Sequence, residues 1–94
     1  MILDNVKVAL RTTTTDPNLV SQIQSLIDAC VEDLKSADIK VIEDNEGNYS
    51  PLVSNAICSF VKAYFINSAD SEIYLRSYHS MKSQLALLKE YQNV

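Results

Sequence analysis

The sequence predicts an all-α protein, a four-helix subunit built from a short N-terminal helix and three longer amphipathic helices. One glycine and two prolines among 94 residues leave few places for the tight turns of a many-stranded sheet. Apolar residues recur at spacings of three and four through most of the chain. A chain of this length holds one hydrophobic core, so we expect a single domain over residues 1–94.

The first predicted helix is short and the second is long. Residues 2–11 place five apolar side chains near one helical face: Ile2, Leu3, Val6, Ala9 and Leu10. Four consecutive threonines, residues 12–15, then predict a linker, because β-branched hydroxyl side chains compete with helical hydrogen bonds. Asp16-Pro17 predicts a capped helix start. The second helix runs to about Ala37 on an apolar face of Leu19, Ile23, Leu26, Ile27, Cys30 and Leu34.

Residues 38–50 predict a long loop or a small two-stranded hairpin. Ile39 and Val41 alternate with charged residues, and turn-forming residues surround Gly47. The acids here suggest a calcium loop, whose first ligand lies five residues before its glycine. Ile42 occupies that position and has no side-chain oxygen, which excludes the calcium loop.

Ser50-Pro51 repeats the capped start and opens the third helix. This helix is apolar over more than half its circumference, so we expect it at the centre of the fold: Leu52, Val53, Ala56, Ile57, Phe60, Val61, Tyr64 and Phe65. The fourth helix is predicted over about 70–91, with a seam of Tyr74, Tyr78, Met81, Leu85 and Leu88. Glu72 precedes Arg76 by one helical turn, which predicts a surface ion pair.

The chemistry-bearing residues do not form a catalytic pattern. His79 is the only histidine, so one chain cannot supply a two-histidine metal site. Cys30 and Cys58 lie on apolar helical faces, and we expect buried free thiols of the kind found in the cytoplasm. Adjacent acids such as Glu32-Asp33 are typical of a solvated surface. We therefore expect no enzyme activity, no cofactor and no metal.

Charge and aromatic content bear on the kind of partner. Residues 1–50 hold nine acids and four bases, whereas residues 51–94 hold three acids and four bases. Neither half has a basic stripe that could neutralise several phosphates, so specific DNA binding is not expected. No apolar stretch reaches the roughly 20 residues that span a bilayer. Tyr64, Tyr74 and Tyr78 suit either helix packing or a protein interface.

Several segments resemble the phage head–tail connector (adaptor) family. They are residues 6–11 (VKVALR), the threonine/aspartate linker, and residues 26–34 (LIDACVEDL). The run SPLV leading into AICSFVKAYF, residues 50–65, is similar to the family's P-L-(V/I)…A-I…Y-V-K-(A/T)-x-F helix. Residues 77–85 (SYHSMKSQL) are similar to its closing helix. The family often has a glycine near the end of the second helix, where this chain has Asp38.

The resemblance implies a subunit of a homo-oligomeric, dodecamer-like ring beneath the portal protein of a tailed phage or prophage. Such a ring extends the DNA channel, lets DNA pass without specific binding, and offers a platform to the next connector, stopper or tail protein. It implies assembly in the bacterial cytoplasm and a final place at the head–tail junction of the virion, with no membrane contact.

Two hypotheses name residues for these roles. A ring needs two different patches that meet between neighbours, and we expect an acidic patch to meet a basic one: Asp28, Glu32 and Asp33 against Arg76, Lys82 and Lys89. A channel-facing acidic loop would repel the DNA backbone or, alternatively, would be a solvated outer loop: Glu43, Asp44 and Glu46. The alternative function is a small helical regulator or adaptor that binds one bacterial protein as a monomer or dimer.

Overall fold

Four α-helices make up most of the computed structural model, which describes residues 2–11, 15–44, 47–65, 70–88 and 91. In chain order they are α1 (Ile2–Ala9), α2 (Pro17–Ser36), α3 (Pro51–Phe65) and α4 (Ser71–Leu87). No strand occurs in the described part of residues 38–50 or elsewhere in these ranges, so this segment is a loop there. The all-α prediction with four helices is confirmed.

The two predicted cap-and-proline starts are present. The Oδ1 atom of Asp16 accepts a hydrogen bond from the backbone N–H of Asn18 at 2.9 Å, and Pro17 is the first residue of α2. The Ser50 hydroxyl oxygen accepts from the backbone N–H of Val53 at 3.4 Å at the start of α3. Both side chains therefore satisfy N–H groups that a helix leaves without an internal partner.

A left-handed residue ends α2. Asp38 has φ 60°, and its N–H donates to the carbonyl of Lys35 at 3.0 Å. The N–H of Ile39 donates back to the carbonyl of Leu34 at 3.1 Å, and both of these side chains are buried. These bonds define a Schellman motif, in which glycine is the preferred left-handed residue. The position where the resemblance places a glycine is thus one where this chain uses an aspartate in the same backbone conformation.

The hydrophobic core is built around α3, which packs against α1, α2 and α4. The prediction that the third helix is central is therefore correct. Leu19 and Leu52, which were expected on apolar faces, are exposed because each lies in the first turn of its helix, at the edge of the packed layer. The buried side chains of the core are Ile2, Val6, Ile23, Ile27, Cys30, Leu34, Ile39, Val53, Ala56, Ile57, Val61, Tyr78 and Leu85.

The fourth helix ends earlier than predicted. It stops at Leu87 and not near Tyr91, and Leu88 has an extended backbone with ψ 126°. Leu88, which was expected in the buried seam, is exposed. Beyond it, the carbonyl of Tyr91 accepts from the N–H of Lys40 at 2.6 Å, and the Tyr91 hydroxyl donates to Ser50 Oγ at 2.9 Å. Helical periodicity could not anticipate these contacts between Tyr91 and the loop.

The loop between α2 and α3 is also held near its middle. The N–H of Ile2 donates to the carbonyl of Gly47 at 3.3 Å, and Gly47 has φ 77°. The N–H of Asp44 donates to the carbonyl of Asn48 at 2.8 Å, and the Asn48 N–H donates to Asp44 Oδ1 at 2.9 Å. The loop is thus bonded to the start of α1 and to Tyr91, which lies four residues beyond the end of α4.

Candidate functional site

Asp33 on α2 is the centre of a polar network that reaches α4. The Tyr78 hydroxyl donates to Asp33 Oδ2, and the Lys82 ammonium donates to the same oxygen at 2.9 Å. Tyr78 is buried, whereas the Asp33 and Lys82 side chains keep 39% and 25% of their surface exposed. The network lies within one chain and joins the second helix to the fourth.

The surroundings of this network explain the protonation of its members. The Tyr78 hydroxyl and the Lys82 ammonium stabilise the charged carboxylate, and they lower the pKa of Asp33 although partial burial opposes the shift. Burial, followed by the hydrogen bond to Asp33, raises the pKa of Tyr78. Burial also raises the pKa of the neighbouring Cys30 thiol to about 12 and raises the pKa of Cys58. Both thiols are therefore protonated at neutral pH. Cys30 lies in the core as predicted, whereas Cys58, which was also expected to be buried, is only partly buried.

The residues predicted for the subunit interface have different surroundings. Asp33 and Lys82, which were expected to meet between neighbours, pair inside one subunit because α2 and α4 both pack against α3 and these two side chains reach each other. Asp28 and Glu32 are exposed on α2. Arg76 is exposed and pairs with Glu72 at 3.3 Å, which confirms that predicted surface pair; Lys89 lies outside the described residues.

The predicted acidic loop is on the surface where the structure describes it. Glu43 and Asp44 are both exposed, and Glu46 lies outside the described residues. The Asp44 carboxylate also stabilises the loop, because it accepts a hydrogen bond from the backbone N–H of Asn48. Substitutions at Asp44 must keep an acceptor oxygen if they are to change charge alone.

The three tyrosines at helical spacing divide between core and surface. Tyr78 is buried and meets the edge of Phe60, with ring centroids 5.0 Å apart. Tyr74 is partly buried, and the Lys62 ammonium lies 4.8 Å from its ring centroid. Tyr64 is 55% exposed, and its ring centroid lies 4.7 Å from that of Phe60. The packing alternative therefore holds for Tyr78, whereas Tyr64 is available to a partner.

Sequence reasoning did not identify an uncharged cleft between α2 and α3. Its volume is about 340 Å³, and it is lined by Ser21, Gln22, Ser25, Leu26, Tyr64 and Phe65. Residues 17–27 contain no charged side chain. This uncharged run is the feature of the sequence that could have pointed to the cleft. Depletion of charge around an exposed tyrosine is typical of the centre of a protein interface and not of a solvated face.

A second exposed apolar feature lies on α4. Ile73 is 60% exposed and Leu87 is 80% exposed, near the two ends of the helix. Between Ser77 and Leu87 the only permanently charged residue is Lys82, which is engaged by Asp33. The outer surface of α4 is therefore mostly neutral in its second half.

The neutral exposed surfaces around Tyr64 and on α4 suit association with another protein. The described residues contain no group of three or more histidine, cysteine, aspartate or glutamate side chains that could hold a metal ion. Among the same residues, no helix is both long enough and apolar enough to cross a membrane.

Comparison with known protein families gives a match over nearly the whole chain. The model of a family described as phage connector protein matches residues 2–92, which is nearly the whole chain. No curated protein and no solved structure matches this chain.

Proposed function

The chain belongs to the phage connector protein family, and from this membership we propose that it is a head–tail connector subunit that forms a ring beneath the portal of a tailed phage or prophage. The observation that carries the proposal is the family match over residues 2–92. The family is structural and associates with portal and tail proteins. The ring extends the DNA channel and presents a platform for the next connector, stopper or tail protein.

The exposed surfaces support a role in assembly. Exposed acids on α2, Asp28 and Glu32, and an exposed base on α4, Arg76, lie on different helices of the same small subunit. Two different patches that meet between copies generate a closed ring when the rotation allows closure. The interface of the proposed ring therefore pairs the acidic part of α2 with the basic part of α4, and Lys89 belongs to the same basic set.

The oligomeric state tests this function. The mass of the purified protein, a 10.5 kDa chain, is measured by light scattering alone and after mixing with the portal protein of the same genome. We expect a ring, or one large particle that contains both proteins. A closed dimer that does not bind the portal protein would contradict the proposal. It would favour the alternative of a small helical regulator or adaptor that binds one bacterial protein, which the family match does not support.

The acidic loop faces the channel in this proposal. A negative lumen repels the DNA backbone, so the genome slides without being held. Replacing Glu43 and Glu46 with glutamine and Asp44 with asparagine removes three charges and keeps the acceptor oxygen at Asp44. We expect slower DNA ejection from such virions.

A matched variant controls for net charge in the ejection experiment. Asparagine at Asp4, Asp16 and Asp70 removes the same number of charges elsewhere, and asparagine caps a helix as well as aspartate does. Equal ejection rates for the loop variant, the control and the unmodified virion would refute the channel position and favour a solvated outer loop.

A further inference from the structure

One exposed row of side chains on α2 changes from neutral to charged along the helix. From its N-terminal end the row contains Ser21, Ser25, Asp28, Glu32 and Lys35, all of them exposed. Spacings of three and four place them on one face of the helix. The order is therefore neutral, neutral, acid, acid, base.

A row on α4 has the complementary order when it is read from the C-terminal end. It contains Leu87, Ser83, Ser80, Arg76 and Glu72, and all of these are exposed as well. The order is apolar, neutral, neutral, base, acid. At about 1.5 Å per residue, both rows extend over roughly 21–23 Å of helix. Placed antiparallel, they bring Arg76 opposite Glu32 and Glu72 opposite Lys35.

The neutral end of the α2 row lies at a cleft, and the neutral end of the α4 row carries an exposed leucine. Ser21 and Ser25 line the uncharged cleft between α2 and α3, which also contains Leu26 and the exposed Tyr64. Leu87 is the most exposed of the large hydrophobic side chains described, at 80%. The same antiparallel alignment brings this leucine to the cleft, where its transfer from water is favourable.

The two rows cannot meet within one subunit. Inside a subunit, α2 and α4 approach each other through Asp33, Tyr78 and Lys82, and both rows remain exposed. The Arg76–Glu72 pair within α4 does not prevent the contact, because an exposed ion pair contributes little and can exchange partners. A surface that covered either row would therefore come from another molecule, and a second copy of this chain carries a complementary row.

We propose that neighbouring subunits contact each other through these rows, with α4 of one subunit antiparallel to α2 of the next and Leu87 in the neighbour's cleft. The inference rests on the proposed ring and specifies its interface. Because the two rows differ, each subunit uses one row on each side, and the contact repeats from copy to copy until the ring closes.

Cysteine cross-linking in the ring assembled with the portal protein tests this contact. The variant Ser25→Cys with Ser83→Cys, in a Cys58→Ser background, places one thiol on each row at positions that the alignment puts opposite each other. A short bis-maleimide should join successive subunits into a ladder that extends beyond dimers. The control Ser36→Cys with Ser83→Cys keeps the thiol on α4 and moves the other one roughly 16 Å along α2, off the row, and we expect no ladder from it.

The outcomes separate the contact from the function. A ring of normal mass that gives no ladder with the first pair, or a ladder with the control pair, would overturn the antiparallel contact and leave the connector function standing. Failure of the unmodified protein to form a ring with the portal protein would overturn both.

Charge reversal gives a second measurement of the same contact. Glu32→Arg should reduce the yield of ring, and Arg76→Glu in the same chain should restore part of it. Asn5→Arg on α1 introduces the same residue type on an exposed face outside both rows, and this control should leave the yield unchanged. No reduction by Glu32→Arg would contradict the proposal.

Discussion

Replacing Tyr78 with phenylalanine tests how far the contact between α2 and α4 depends on one hydrogen bond. The substitution removes only the hydroxyl that donates to Asp33 and keeps the ring that packs against Phe60. A hydrogen bond to a charged group contributes about 1.5–3 kcal/mol to stability. Asp33 keeps 39% of its side-chain surface exposed, so water compensates part of the loss. We therefore expect the free energy of unfolding to fall by about 1.5 kcal/mol, the lower end of that range.

The partner substitutions should have unequal effects. Asp33→Ala removes the acceptor and leaves the buried Tyr78 hydroxyl unsatisfied, which costs about 2 kcal/mol. Lys82→Ala removes a partly exposed ion pair and should cost about 1 kcal/mol or less. Glu32→Ala is the matched control on the same helix, where an exposed acid is removed without breaking this network. Its effect should stay within about 0.5 kcal/mol.

Urea unfolding followed by far-UV circular dichroism measures these differences. A loss of about 1.5 kcal/mol corresponds to a fall of roughly 6–12 °C in Tm for a domain of this size. The double variant Asp33→Ala with Tyr78→Phe completes a double-mutant cycle. We expect a coupling free energy of about 1 kcal/mol or more between Asp33 and Tyr78. A coupling within about 0.3 kcal/mol of zero would refute the role assigned to this bond.

Three further predictions follow from the fold. Asp38→Gly should raise the free energy of unfolding by about 1 kcal/mol, because glycine has no steric penalty at φ 60°, whereas Asp38→Val should lower it; equal stability of both variants in urea would contradict the left-handed assignment. Ile57→Ala should cost about 3 kcal/mol because Ile57 is fully buried in the central helix, whereas the exposed Leu52→Ala should cost less than about 1 kcal/mol; similar losses would mean that α3 is not at the centre. The low pKa of Asp33 gives stability that is fully present above its unfolded pKa of about 3.9 and is lost as the pH falls through the lower folded value. Acid titration of stability should therefore be shallower in Asp33→Asn than in the unmodified chain, and identical profiles would exclude this contribution.

Local signals in the sequence predicted most of the fold. Asp16-Pro17 and Ser50-Pro51 mark helix starts through contacts only a few residues away, and the structure has helices there. The predicted end of α4 was wrong because Tyr91 forms hydrogen bonds with Lys40 and Ser50, which are far away in the sequence. Local periodicity contains no information about such contacts.

The candidate site was less predictable than the fold. The opposite charges of Asp33 and Lys82 suggested that they would attract each other. Whether they meet within or between chains depends on how α3 positions α2 and α4, which bring together residues 49 apart in the sequence. The cleft beside Tyr64 likewise requires two helices to be placed side by side before it exists. A charge-free run such as residues 17–27 is the part of that feature which a sequence can show.

The bonds that hold the 38–50 loop affect how freely this protein can change during evolution. The loop is joined to Ile2 through the carbonyl of Gly47 and to Tyr91 through the N–H of Lys40, and both bonds are between backbone groups. Every residue type carries a backbone carbonyl, and every type except proline carries the N–H. Apart from Gly47, whose φ of 77° favours glycine, the exposed positions of the loop, such as Ile42 and Glu43, can therefore exchange their side chains without losing these two attachments. A surface that must fit a rapidly diverging partner could drift here while the helices beneath it stay in place.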